Sequence, residues 1–206
     1  MLYVIAHFLR DKIPWVWDLV DVLNSALFQL RYGKKLKGFK KFQSVSNGFI
    51  VKPICEVPTE QLVEFFARQP EEAYRFFKPH GFDQISIKKF QRNKAFLAYV
   101  LIDVSGGFNE FQSSKIAGYC FNRSFFHGKG FRGRMVDISY RGKGLGTMIN
   151  KILNEVGSGI GLRLFETVNK DNVASYRSAM SASNVKVIKE LEGGDLYLEI
   201  LKDKMI

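Results

Sequence analysis

Six residues, Arg141-Gly142-Lys143-Gly144-Leu145-Gly146, sit between a strand-like run and a helix-like run, and no other segment restricts the fold as much. Upstream, Met135-Val136-Asp137-Ile138 alternates as a strand does. Downstream, Leu145, Met148, Ile149, Ile152, Leu153 and Val156 recur at helical spacing. A strand that passes through glycines into a helix aims several backbone N–H groups and the positive helix end at one point, where a pyrophosphate can sit. Glycine suits such a loop because a Cβ would keep the phosphate at a distance. The segment is neither Gly-x-x-x-x-Gly-Lys-Ser/Thr nor Gly-x-Gly-x-x-Gly with a suitably placed acid for a ribose. Taken alone, it is either a phosphate cradle or a plain strand-to-helix turn.

The loop does match Arg/Gln-x-x-Gly-x-Gly/Ala, and in this it resembles the pyrophosphate loop of the GNAT superfamily of acetyl-CoA-dependent acyltransferases. A second segment, Val168-Asn169-Lys170-Asp171-Asn172-Val173-Ala174-Ser175-Tyr176, is similar to the Val-Asn-x-x-Asn-x-x-Ser that ends the fifth strand and starts the fourth helix there. The same residues also read as a helix start capped by Asn or Asp. Two motifs in family order are much harder to obtain by chance than one. The resemblance implies an α/β GNAT fold, with a mixed central sheet splayed between its fourth and fifth strands and flanking helices.

Length and composition agree with one domain. At 206 residues, with 46% hydrophobic residues and 19 Phe, the chain can bury a proper core, and long disorder is excluded. Cys55 and Cys120 have no metal-type spacing, so no metal site is expected. A reduced, cytosolic setting with both cysteines in the core is the default. The apolar start, residues 1–9, carries its charges after the run and reads poorly as a secretory signal. No uncharged stretch has the length of a membrane span, so the chain should be soluble or peripheral.

Strand patterns fall at 49–55, 95–103, 115–122, 131–139, 162–168, 185–191 and 195–202. Helical ones fall at 58–69, 70–77, from the loop to 156, and at 170–181. Ser44 to Gly48, Ser105-Gly106-Gly107 and Gly193-Gly194-Asp195 read as turns. The domain is expected over 48–206, preceded by an extension, 1–47, that the family pattern does not require. In that extension Trp15, Leu19, Leu23, Leu27 and Leu30 share one helical face over 13–32, with Asp18, Asp21, Asn24 and Ser25 largely elsewhere, and Gly33 and Gly38 should break the helix. The face either packs on the domain or lies at a membrane surface.

The net charge of +11 is uneven: Arg31, Lys34, Lys35, Lys37, Lys40 and Lys41 fall within eleven residues. Such a block is a solvated linker, a docking patch for anionic lipid or a phosphorylated substrate, or a nucleic-acid surface. The last is disfavoured, because no nucleic-acid module accompanies the charge and only Tyr32, Phe39 and Phe42 interleave it. Peripheral membrane contact through 13–41, on the inner face of the membrane, is the corresponding expectation.

The resemblance also assigns residues. It places acetyl-CoA, as co-substrate, against Val136, Asp137 and Ile138, along Arg141, Gly142, Lys143, Gly144, Leu145, Gly146 and Thr147, and near Asn169 and Asn172. Strand main chain, at Val136 and Ile138, would pair with the pantetheine arm as an added strand would. Tyr176, seven residues after Asn169, is the candidate acid that protonates the departing thiolate. Many relatives carry a carboxylate early in the fourth strand, where this chain has Arg132 and Arg134. Glu166 is the substitute candidate for base: alternation puts it on the inward face with Leu164 and Val168, where a carboxylate needs a purpose or a partner such as Arg163. Asp137 comes next.

Phe77-Lys78-Pro79-His80-Gly81-Phe82 falls where the family builds its acceptor site. Its Phe-x-Pro-His-x-Phe pattern resembles, more loosely, acetyltransferases of bacterial capsule and lipopolysaccharide gene clusters. His80 is accordingly a candidate for acceptor binding or base catalysis, or else a solvated loop histidine. The resemblance implies N-acetylation of a small-molecule primary amine, first a nucleotide-linked aminosugar for surface polysaccharide, which suits a basic chain. Other small amines, a protein or peptide amine, or a non-catalytic acyl-CoA-sensing module at a membrane are the alternatives.

Overall fold

The structure, a computed structural model, describes residues 14–39, 45–46, 48–105 and 115–201. The apolar run Phe96–Asp103 is buried along nearly its whole length and forms the strand around which the sheet is built. Its side chains alternate between two cores: Leu97, Tyr99 and Leu101 face one side, Phe96, Ala98, Val100 and Ile102 the other. The strands are β1 (Val45–Ser46), β2 (Phe49–Pro53), β3 (Phe96–Asp103), β4 (Ile116–Ser124), β5 (Lys129–Val136), β6 (Arg163–Asn169), β7 (Asn184–Glu190) and β8 (Asp195–Leu201). They make one sheet in the order β1-β2-β3-β4-β5-β6-β8-β7. The β5–β6 pair is parallel and the rest are antiparallel.

Among the described residues, five α-helices flank the sheet: α1 (Pro14–Phe39), α2 (Thr59–Ala67), α3 (Gln84–Arg92), α4 (Leu145–Gly159) and α5 (Val173–Ala182). On one face α4 buries Leu145, Ile149, Ile152, Leu153 and Val156, the apolar positions that define it in sequence, and α1 joins that core through Phe28 and Tyr32. On the other face α2 supplies Leu62, Phe65 and Phe66, and α3 supplies Ile87. The helix after the glycine loop, the helix after the Val-Asn motif and the order of the strands all agree with the expected splayed GNAT sheet.

Several boundaries differ, each for a local reason. The strand expected through 139 ends at Val136, because the Asp137 carboxylate accepts from the Ser139 N–H at 2.9 Å and starts a 3-10 turn over Ile138–Tyr140. The strand expected through Cys55 ends at Pro53, where Ile54–Glu56 turns as 3-10 helix. This leaves Cys55 exposed and only Cys120 buried, against the expectation of two core cysteines. Of the helix expected over 70–77, only a 3-10 turn at Glu71–Tyr74 forms. Helix α3 is an addition to the sequence reading; Asp83 caps it by accepting from the Ile85 and Ser86 N–H groups at 3.0 and 2.9 Å.

Neither Gly33 nor Gly38 breaks α1, and the helix continues to Phe39. A helical glycine costs only about 1 kcal/mol. Here the following turn is held to the domain by Leu36, packed on the core, and by Lys35, whose Nζ donates to the Ile160 carbonyl at 3.3 Å. The turn at Gly48 is present, with the glycine left-handed at φ 81°, and Gly193 and Gly194 turn β7 into β8 at φ 79° and 80°. Residues 106 and 107 of the third expected turn lie outside the described residues.

Candidate active site

β5 and β6 pair at only three positions, Lys129 with Arg163, Gly130 with Leu164 and Phe131 with Phe165. Past Phe131, β5 stays with β4 as far as Val136, and β6 follows β8 to Asn169. The two strands therefore part, and the β5 edge over 132–136 is covered by no strand among the described residues. Backbone groups on such an edge are a ready template for another extended chain.

A buried charged node stands at the fork. Arg132 and Arg134 of β5 both donate to Glu166 of β6, the Glu166 Oε2 lying 2.5 Å from Arg132 Nε and 2.8 Å from Arg134 Nη1. Arg132 also donates to Asn154 of α4. Arg134 donates to the Ser175 carbonyl and hydroxyl of α5, each at 2.8 Å. Burial alone would raise the Glu166 carboxyl, but Arg134 and then Arg132 outweigh it and hold it below the usual glutamate range. Arg163, the neighbour considered from sequence, pairs with Glu199 instead, at 2.7 Å. Glu166 Oε1 and Arg132 Nη2 have no hydrogen-bond partner among the described residues, and both residues border a cleft.

That cleft is lined by Phe77, Phe121, Phe131, Gly133, Thr167 and Asn169, with the cations Arg75, Lys78 and Arg123 and the carboxylates of Asp171 and Asp195 around it. Gly133 permits this floor: a Cβ there would lie 2.5 Å from Phe121 Cζ and 3.3 Å from Phe77 Cε2. His80 lies behind the cleft wall, packed among the rings of Phe66, Phe82, Phe90, Phe96, Tyr119 and Phe121. Its Nδ1 is 2.8 Å from the Gly81 carbonyl and its Nε2 is 2.9 Å from the Tyr119 hydroxyl. A carbonyl only accepts, so Nδ1 carries the proton and Nε2 accepts from Tyr119. Burial, against the Gly81 hydrogen bond and with help from Arg123, pushes the imidazole down and keeps it neutral near pH 7. Phe82 of the same motif stacks on Phe66 at 4.3 Å. The Phe-x-Pro-His-x-Phe segment is thus packed into the aromatic core beneath the cleft, with Phe77, Lys78 and Pro79 at its surface.

At the other end of the exposed β5 edge is the glycine loop. Gly142 and Gly144 are left-handed, at φ 76° and 78°, and a Cβ on either would meet nothing within 4 Å. Gly144 caps α4, and no side chain satisfies the first-turn N–H groups. Thr147 N–H bonds back to the Gly144 carbonyl at 3.1 Å, which leaves the turn before it facing outward. The loop is therefore an open cradle with free donors. Gly146 serves a different purpose, since a Cβ there would stand 3.3 Å from Ser178 Cβ; its absence permits α4 and α5 to approach.

Asp137 is buried and lies in the turn after β5. Its Oδ2 accepts from Arg68 Nε at 2.9 Å and Gln69 Nε2 at 2.8 Å. Burial would raise the carboxyl, and these donors together with the Ser139 N–H bring it below its usual value. Ile138, read as strand from sequence, starts the 3-10 turn half exposed. Asn172 caps α5 by accepting from the Ser175 N–H at 3.2 Å. Asn169 donates to the Gly193 carbonyl at 3.0 Å and to Asp195 Oδ1 at 2.8 Å, which ties the end of β6 to the β7–β8 hairpin. Tyr176 is half-buried on α5, and its hydroxyl makes no hydrogen bond among the described residues.

Tyr140 escaped the sequence reading. Burial and the Asp103 carboxylate, to which its hydroxyl donates at 2.7 Å, push it up to about 12. The Lys143 Nζ lies 5.0 Å from its ring centre, so it props the glycine loop from below. An aromatic residue directly before the loop was its only signal. Arg68 and Gln69 had none, being far from Asp137 in sequence.

Compared by sequence, the chain matches no family model and no curated protein. Compared by structure, it is similar to the GNAT domain of S. lividans PAT, with a TM-score of 0.60 and 17% identity over 74% of this chain and 89% of that one. It is also similar to the N-acetyltransferase PseH of Campylobacter jejuni, with a TM-score of 0.54 and 12% identity over 76% and 99% of the two chains. A third likeness is to yncA of Salmonella typhimurium with its cofactor acetyl-CoA, at a TM-score of 0.52 and 17% identity over 78% and 96%. The chain has the GNAT fold.

Proposed function

We propose that this chain is an N-acetyltransferase that moves the acetyl group of acetyl-CoA to the primary amine of a small molecule. The observation that carries the reading is the bare β5 edge over 132–136 opening beside the uncapped start of α4. Gly142, Lys143, Gly144 and Leu145 hold the pyrophosphate through main-chain N–H groups, with Arg141 and Thr147 at its border. Main chain at Val136, and less so at Asp137 and Ile138, pairs with the pantetheine arm. Two solved relatives in fold, one described as an N-acetyltransferase and one with acetyl-CoA, support the same assignment.

Acetyl-CoA supplies an activated thioester. The neutral amine nitrogen of the acceptor forms the amide bond, the C–S bond breaks, and the thiolate leaves. Tyr176, with a hydroxyl free of protein partners, gives that thiolate its proton, while the amine's own proton passes to solvent. Glu166, held ionised by Arg132 and Arg134 and with its side chain 2% exposed, is poorly suited to take that proton and instead holds the two arginines at the fork. Asn169 and Asn172 hold the strand end and helix start around the reacting groups. His80 sets the position of the acceptor wall from behind.

Lys78 at the cleft rim, with Arg75 and Arg123 beside it although these are paired with Asp171 and Asp21, offers a cation to a phosphate, and Phe77 gives a flat apolar face for a sugar or base. A nucleotide-linked aminosugar, in surface-polysaccharide synthesis, is the acceptor these features favour. The free Cys55 thiol at the surface is consistent with a cytoplasmic setting. Thiol release from acetyl-CoA, followed over nucleotide aminosugars, free aminosugars, polyamines, amino acids and peptides, tests the acceptor. Faster turnover with the nucleotide aminosugars is the expected result, and preference for a peptide amine would refute this choice. With the acceptor found, Tyr176→Phe should lower turnover by about two orders of magnitude and leave acetyl-CoA affinity in calorimetry nearly unchanged.

A further inference from the structure

The apolar stripe of α1 faces away from the domain. The opposite, polar side makes the contacts: Asp21 pairs with Arg123 at 3.1 Å and Asp18 with Lys89. Asn24 Nδ2 donates to the Ser124 carbonyl at 3.0 Å, and the Ser25 hydroxyl accepts from the Lys94 N–H at 2.9 Å. Phe28 and Tyr32 anchor this side in the core. Trp15, Leu19, Val22, Leu23 and Leu30 are left outward, Leu30 being 82% exposed. A helix that folded only to pack on its domain would carry the reverse arrangement.

The neighbourhood of this stripe is cationic. Ile85 of α3, also 82% exposed, extends the apolar surface across a groove beside Val22, Ala26 and Leu30. Lys88, Arg92 and Lys94 line the groove. Exposed Lys34 and Lys37 continue the stripe along the same side of the helix. Both acidic residues of α1 are turned into ion pairs with the domain. No helix of the described residues is long and apolar enough to cross a membrane.

We propose that this face of α1, with the adjoining side of α3, docks in the plane of an anionic lipid bilayer, with the apolar side chains among the acyl chains and the cations at the headgroups. A second copy of the chain does not fit as well, because pairing through this face would bring Lys34, Lys37, Lys88 and Arg92 against their own like in a protein of net charge +11. The docking is independent of the acetyl-transfer reading.

The test is flotation of the full chain with vesicles of phosphatidylcholine alone and with 30% phosphatidylglycerol. The expected result is binding to the anionic vesicles only, lost in 0.5 M NaCl. Lys34→Glu/Lys37→Glu should weaken it at least tenfold, since each cation near such a surface contributes roughly fivefold. Leu19→Gln/Leu23→Gln/Leu30→Gln should weaken it further, and both variants should keep the wild-type melting temperature and acetyl-CoA affinity. No flotation of the wild-type chain, or flotation unaltered in the lysine variant, overturns the proposal. A wild-type dimer in sedimentation velocity that the leucine variant turns into monomer would overturn it in favour of a second copy.

Discussion

Glu166→Gln is expected to cost the fold about 3–5 kcal/mol, because it leaves two arginines in the interior without their counter-charge. The Arg132 side chain is fully buried and that of Arg134 is 8% exposed, so water cannot take over. For a domain of this size the loss is a fall in melting temperature on the order of 10 °C. Arg163→Gln provides the contrast: it also breaks an ion pair with a carboxylate, Glu199, but the Arg163 side chain is 65% exposed, and about 1 kcal/mol at most is expected. The difference between wild type and Glu166→Gln should hold steady from pH 8 to 5. A carboxylate whose folded value is depressed stabilises fully above its ordinary value, 4.5 for glutamate, and loses that contribution as the pH falls through its folded value. The gap should therefore begin to narrow only below that ordinary value and close as the pH falls through the folded one. Urea unfolding at several pH values checks this, and equal melting temperatures for the two variants would show that the node is not what ties β5 to β6.

Gly144→Val should abolish measurable acetyl-CoA binding. Two effects act together. A β-branched residue at φ 78° is strained by about 1–3 kcal/mol, which moves the cap. Its side chain would also fill the open space from which the first-turn N–H groups of α4 reach their ligand. A loss of affinity of at least a hundredfold is expected in calorimetry, with the sheet intact by circular dichroism. Gly146→Val acts by another route, pushing α4 from Ser178 of α5, so its loss of binding should come with a lower melting temperature. A Gly144→Val protein that binds as wild type would take the phosphate away from the loop.

The strand-to-helix glycine turn was legible because its determinants are local. Glycines, a preceding strand and a following apolar period occupy one stretch of chain, and Asn172 capped α5 as its motif implied. The node was not legible, since Arg132 and Arg134 meet Glu166 across the sheet and only parallel pairing at Lys129–Phe131 sets that register. Alternation placed Glu166 inward correctly but could not name its partners. Periodicity likewise revealed α1 as amphipathic and left its orientation open; the Asp21–Arg123 pair and the buried Phe28 decide it. Helix α3 was missed because Ile85 and Ile87 alternate like a strand, while only Ile87 is buried. His80 looked like a loop residue because the rings that surround it come from α2, α3, β3 and β4.

The most direct measurement is an amide-resolved NMR titration of the full chain with acetyl-CoA. The expected result is saturable shifts at the N–H groups of Gly142, Gly144, Leu145 and Gly146 and along 132–136 of β5, with the β7–β8 hairpin turn at Gly193 and Gly194 unmoved. Absence of any saturable shift, or shifts confined to residues outside the loop and the β5 edge, would contradict the account.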